Sequence, residues 1–85
     1  MKTFELELAT PSRCIFKGEV ESLIIETIEG YEGFLANHAW STKLLKKGGK
    51  AIITDASGKE LRYVIWGGYV DVKEKVLVFT DHVED

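Results

Sequence analysis

One cysteine, one proline, two histidines and no excess of basic charge stand out as scarcities in this chain of 85 residues. Each removes a class of function. The lone Cys14 excludes an internal disulfide and every multi-cysteine metal site, and agrees with a reducing compartment. Two histidines, His38 and His82, without carboxylates or thiolates at ligand spacing, give no reason to expect a metal. Eleven basic against fourteen acidic side chains leave a net charge of −3. That balance does not suit a nucleic-acid backbone, so no nucleic acid is expected as a partner. No apolar run nears the roughly 20 residues of a membrane-spanning helix, so direct membrane insertion is not expected. The start, Met1-Lys2-Thr3-Phe4-Glu5, lacks an apolar signal region behind its lysine, which points to the cytoplasm. At this length the chain is read as one domain, residues 1–85, with a small core.

Catalytic constellations are also missing. Ser12, Ser22, Ser41 and Ser57 have no nucleophile-elbow context. Cys14, beside Arg13, is expected to pack as a small hydrophobe at a strand start. Gly67-Gly68 is not followed by the lysine and hydroxyl of a phosphate-binding loop. Within a strand pattern, adjacent glycines mark a bend, a bulge or a close backbone approach.

What is present is a period of two. Phe4, Leu6 and Leu8 alternate with Glu5 and Glu7; Leu61, Tyr63 and Ile65 share one face; Val70 and Val72 flank Asp71; Val76 and Val78 alternate with Leu77 and Phe79. The run Leu23-Ile24-Ile25 suits a strand covered on both sides. Turn signals separate these runs at Lys17-Gly18, Glu29-Gly30, Lys47-Gly48-Gly49, Asp55 to Gly58 and Lys73-Glu74-Lys75. The one candidate helix, Trp40 to Lys47, is short and poorly capped and is read as extended or irregular. The pattern predicts an all-β fold, a flattened antiparallel β-sandwich or barrel of short strands.

Charge is uneven. Residues 19–32 hold Glu19, Glu21, Glu26, Glu29 and Glu32 without a lysine or arginine, and residues 43–50 hold Lys43, Lys46, Lys47 and Lys50 without an acid. Two solvated faces are the plain reading, and two steering patches the functional one. Between them, Glu29 to Trp40 is read as two loops, the first framed by Gly30 and Gly33 and carrying Tyr31 and Glu32, the second presenting His38 and Trp40. Aromatic side chains on loops of a rigid scaffold suit a protein interface.

Thr10-Pro11, Gly18-Glu19-Val20, Glu29-Gly30 with Gly33, His38-Ala39, Gly67-Gly68 followed by an aromatic and Val70, and then Val76, Val78 and Asp81 form an ordered series over residues 3 to 81. The series resembles the N-terminal β-sandwich of the epsilon subunit of F-type ATP synthases, the delta subunit in mitochondria. The resemblance implies a non-catalytic rotor-stalk subunit, without cofactor, peripheral to the inner (cell) membrane. It would clamp the gamma subunit and rest on the membrane c-ring, coupling ion transport to ATP synthesis. By the same resemblance, Glu29, Tyr31, Glu32, His38, Ala39 and Trp40 face those partners, and Gly30, Gly33, Gly67 and Gly68 form structural turns. Tyr31, Asn37, Trp40, Ser41 and Thr42 depart from the family pattern, all on the expected contact loops. Family members carry a C-terminal helical hairpin that brakes rotation and in some bacteria binds ATP; with nothing after Asp85, neither property is expected of this polypeptide. The alternative reading is a free-standing β-sandwich module that binds a small ligand or protein through Tyr31, Trp40 and Trp66.

Overall fold

Phe4, Leu6 and Leu8 are buried on one side of the first strand, β1 (Phe4–Ala9), as their alternation with glutamates requires. The computed structural model describes residues 2–84; Met1 and Asp85, the two ends of the expected domain, lie outside the described residues. Eight further strands follow: β2 (Cys14–Thr27), β3 (Gly30–Leu35), β4 (Ser41–Leu44), β5 (Lys47–Asp55), β6 (Glu60–Trp66), β7 (Tyr69–Val72), β8 (Val76–Phe79) and β9 (Val83–Glu84). They hydrogen-bond in the order β4-β7-β8-β1-β2-β5-β6-β9, with β3 added to β2.

β2 joins two layers. Its residues Cys14 to Val20 pair with β1, and Val20 to Ile25 pair with β5, with a bulge between Val20 and Ser22. Leu23 to Thr27 also carry β3 on the other flank. One core cluster collects Leu6, Leu8, Val70 and Val76 from one half of the sheet and Leu23, Ile25, Ile53 and Ile65 from the other. The two halves therefore face each other as a sandwich. The shortest dimension, 19 Å of 31 × 24 × 19 Å, accommodates two layers about 10 Å apart with their outer side chains. Each fully buried Leu, Ile or Val contributes roughly 1.5–3 kcal/mol against exposure.

The expected all-β sandwich is the fold observed, with four local corrections. β1 and β8 run parallel, so the sheet is mixed. Lys17-Gly18 is no turn but lies inside β2 opposite Glu7 and Leu6, which makes β2 a 14-residue strand. Ile24 is 41% exposed, because the outer face of β2, β3 and β5 carries no covering layer. Cys14 does begin a strand, but it is exposed rather than packed, its thiol 3.5 Å from the Phe16 carbonyl oxygen. The expected extended reading of 40–47 holds, since β4 and the start of β5 occupy it. Asp55 to Gly58 is the β5–β6 hairpin tip, where the Asp55 carboxylate accepts from the Ser57 amide, the Ser57 hydroxyl and the Lys59 amide, and Gly58 takes φ +86°.

Candidate functional site

The stretch from Glu29 to Trp40 is not a double loop but a turn, a strand and a loop. Tyr31 and Glu32 belong to β3, in register with Glu26 and Ile25 of β2. Gly33, expected in a turn, sits mid-strand in an ordinary extended conformation, with open space where a Cβ would be. Only Gly30 meets the turn expectation in this stretch, closing the β2–β3 turn at φ +114°. Strand β3 thus holds the Glu29 turn and the His38 loop apart, roughly 17 Å at about 3.3 Å per residue. The candidate residues divide between two rims.

At the first rim, the hydroxyl of buried Thr27 donates to the Gly30 carbonyl at 2.8 Å and accepts from the Glu29 amide at 3.1 Å, which sets the turn. Nearby, buried Thr80 accepts from the Trp66 amide at 3.0 Å through its hydroxyl. Gly67 and Gly68, at φ +70° and +91°, bring the chain from β6 into β7. A Cβ on Gly68 would run into the Phe79 carbonyl oxygen and lie 2.8 Å from the Thr80 Cα. The pair is therefore both a bend and a close backbone approach, and the Gly68 carbonyl accepts from the Leu45 amide at 3.0 Å. This rim exposes Ile28, Tyr31, Leu44, Trp66 and Tyr69. Ile28, Leu44 and Tyr69 escaped the sequence reading, because periodicity alone assigns large apolar residues to the core; Ile28 beside the Glu-Gly turn was the available signal.

The expected acidic and basic patches meet at this rim instead of standing apart. Glu29 pairs with Lys43 at 3.7 Å, and Glu26 with Lys46 at 3.2 Å. The Lys46 ammonium holds the Glu26 carboxyl below its usual range, assisted by the Lys50 amide and the Tyr31 hydroxyl, against a partial desolvation that acts the other way.

At the second rim, Asn37 turns the chain at φ +67° and His38 points back into the body. Its Nδ1 lies 2.6 Å from the Leu35 carbonyl oxygen and its Nε2 2.7 Å from the Lys73 carbonyl oxygen. Its ring meets Phe4 edge-on at a centroid distance of 5.1 Å and Phe34 at 6.2 Å. Both polar atoms of His38 are thus committed inside the domain, so it shapes the loop, while Ala39 and Trp40, the latter 66% exposed, present its surface. A wide cleft of about 650 Å³, open to solvent, lies beside them, lined by Lys2, Glu5, Glu19, His38, Trp40 and Lys73 among others. Among the described residues no helix is long and apolar enough to cross a membrane.

Residues 3–85 match the family described as ATP synthase, Delta/Epsilon chain, beta-sandwich domain. The chain is 36% identical to the ATP synthase epsilon chain of Clostridium novyi, in an alignment covering 98% of this chain and 63% of that protein. It is also 36% identical to the sodium-ion-specific ATP synthase epsilon chain of Propionigenium modestum, covering 100% of this chain and 61% of that one. The chain therefore spans about three-fifths of the length of these relatives. Among solved structures, it superimposes on a chain of the Euglena gracilis mitochondrial ATP synthase OSCP/F1/c-ring assembly with a TM-score of 0.89 at 28% identity, covering 96% of this chain and 52% of that one. A chain of the Tetrahymena thermophila central stalk and c-ring shares the fold with a TM-score of 0.82 at 16% identity, covering 99% of this chain and 67% of that one.

Proposed function

The chain belongs to the ATP synthase delta/epsilon β-sandwich family, and from that premise we propose that it is a non-catalytic central-stalk subunit that joins the gamma subunit to the c-ring. The observation that carries this reading is the division into two rims. A subunit that bridges two partners needs two separate surfaces on one stiff body, and β3 sets the Glu29 turn and the Trp40 loop at opposite ends of the sandwich. A close-packed core with paired strands resists the shear that a rotating joint imposes. The rim with Glu29, Tyr31, Ile28 and Leu44 faces the polar loops of the ring, and the rim with Ala39 and Trp40 faces the foot of gamma. His38 supports the second of these surfaces from within. The subunit works at the membrane as part of the assembled ATP synthase, without inserting in the bilayer.

Because Glu26 and Glu29 are already paired with lysines, apolar contact rather than net acidic charge supplies most of the affinity at the ring-facing rim. The test is binding of the wild-type chain, Trp40→Ala and Ile28→Asp to purified gamma and to detergent-solubilised c-ring. Trp40→Ala is expected to weaken gamma binding by about 30-fold, the equivalent of about 2 kcal/mol for a buried aromatic anchor, and to leave ring binding intact. Ile28→Asp is expected to do the reverse. A folded wild-type chain that binds neither partner would sink the proposal.

A further inference from the structure

We propose that His38 is a protonation-dependent latch that fastens the loop of residues 36–40 to the β7–β8 turn. The inference deepens the stalk reading, since this loop carries the surface assigned there to gamma, but the latch itself is a property of the free chain. Both atoms facing the ring are carbonyl oxygens, Leu35 at 2.6 Å from Nδ1 and Lys73 at 2.7 Å from Nε2. A carbonyl only accepts. A neutral imidazole has one N–H and one lone pair, so it satisfies one carbonyl and turns a lone pair toward the other; the imidazolium donates to both. Both bonds are made at once only by a ring that carries two N–H groups.

The second bond spans 35 residues of sequence and ties the β3–β4 loop to the Lys73-Glu74-Lys75 turn. Phe4 and Phe34 pack near-perpendicular to the ring, at 85° and 87°, and hold it between its two acceptors. The charged groups that face it come from every neighbouring element. Lys2 and Glu5 stand before and on β1, Glu19 on β2, Glu32 on β3, Lys43 on β4, and Lys73 and Glu74 in the turn. Three of these are engaged elsewhere, Glu5 with Lys75 at 3.7 Å, Lys43 with Glu29 at 3.7 Å and Lys73 with Asp71 at 3.8 Å. The Thr3 hydroxyl donates to Glu19 at 2.9 Å. The sign follows directly. The latch is closed when the ring is protonated, and raising the pH removes one of its two bonds and frees the loop or the turn. A hydrogen bond from a charged donor is worth enough to change local opening by about tenfold.

The experiment is nuclear magnetic resonance of the ¹⁵N-labelled chain at pH 5.5 and 8.5, with Trp40 emission followed in parallel. At the lower pH, both His38 ring N–H protons and imidazolium nitrogen shifts are expected. At the higher pH, amide exchange at residues 36–40 and 73–75, corrected for its intrinsic pH dependence, should accelerate by about tenfold relative to Leu23 and Ile53. His38→Gln, which is neutral at both values, should lose this response. A neutral His38 tautomer at pH 5.5, unchanged loop exchange, or a pH response retained in His38→Gln would each overturn the latch. If His38→Gln does not fold, the wild-type spectra decide. Gamma affinity, measured at the same two values, is expected to fall about tenfold as the latch opens. A latch that responds while gamma never binds overturns the stalk reading and not the latch.

Discussion

The two rims of the sandwich achieve order by different chemistry. At the Glu29 rim, two buried hydroxyls, Thr27 and Thr80, and a glycine pressed against the β8 backbone hold the turns. None of these groups titrates. At the Trp40 rim, the corresponding work falls to a half-buried imidazole between two carbonyls. The first rim is therefore held by neutral hydroxyls and a close backbone approach, and the second by an imidazole set between two backbone carbonyls. Neutral buried hydrogen bonds resist water and pH alike, whereas a charged donor near the surface is strong but conditional.

The largest expected effect tests the first rim. Gly68→Ala forces a methyl group into the Phe79 carbonyl at a positive φ, and should destabilise the fold by about 3 kcal/mol or more in urea unfolding. Gly33→Ala, in open space on β3, should stay within about 0.5 kcal/mol. Equal effects would mean that the close approach at Gly68 is not what orders this rim. Next is Thr27→Val, which keeps the shape and removes the hydroxyl that serves Glu29 and Gly30. A loss of about 1–3 kcal/mol is expected, without change in its pH dependence.

A pH series of the urea midpoint separates the rims from the carboxylates. Glu26 is held low chiefly by Lys46, and Asp55 chiefly by the Ser57 hydroxyl, from ordinary values of 4.5 and 3.8. Groups lowered in the folded state stabilise it above those ordinary values, and the stabilisation disappears as the pH falls through the folded ones. Stability should therefore drop between pH 5 and pH 2, opposite in direction to the loosening of the His38 loop on the alkaline side. Glu26→Gln and Asp55→Asn should flatten the acid limb. An acid limb unchanged in both variants would show that these carboxylates are not its source. The smallest effect is at Glu29, 70% exposed beside Lys43 at 3.7 Å. Glu29→Gln should change stability by less than about 0.5 kcal/mol, so any loss of ring binding in that variant reports the contact itself.

Much of this molecule could be read without coordinates, and the misreadings share a cause. Phe4, Leu6, Leu8, Val70, Val72, Val76 and Val78 are all buried, as their period of two requires. The hairpin tip at Asp55 to Gly58 also followed from its residues, because an aspartate that caps nearby amides and a glycine at positive φ form a local structure. The glycines that flank Tyr31 and Glu32 suggest a loop, yet pairing with Glu26 and Ile25 makes them a strand. Lys17-Gly18 failed in the same way, since β1 supplies the ladder that a glycine alone does not suggest. The sequence marks His38 as a surface residue for partners, but does not show that its ring nitrogens lie at the Leu35 and Lys73 carbonyls, backbone atoms to which side-chain motifs are blind.

Alternation along the chain sets which side of β1, β7 and β8 is buried, local turn chemistry sets where the tight hairpin falls, and the ordered glycines and apolar residues carry the family resemblance. These depend on side-chain alternation and on conformational preferences that act within a few residues. Long-range pairing makes β1 and β8 parallel, lets β3 separate the two rims, and brings a histidine to a carbonyl 35 residues away. Those features are set by which distant backbone groups find each other as the apolar faces close, and a backbone carbonyl looks the same at every position in a sequence.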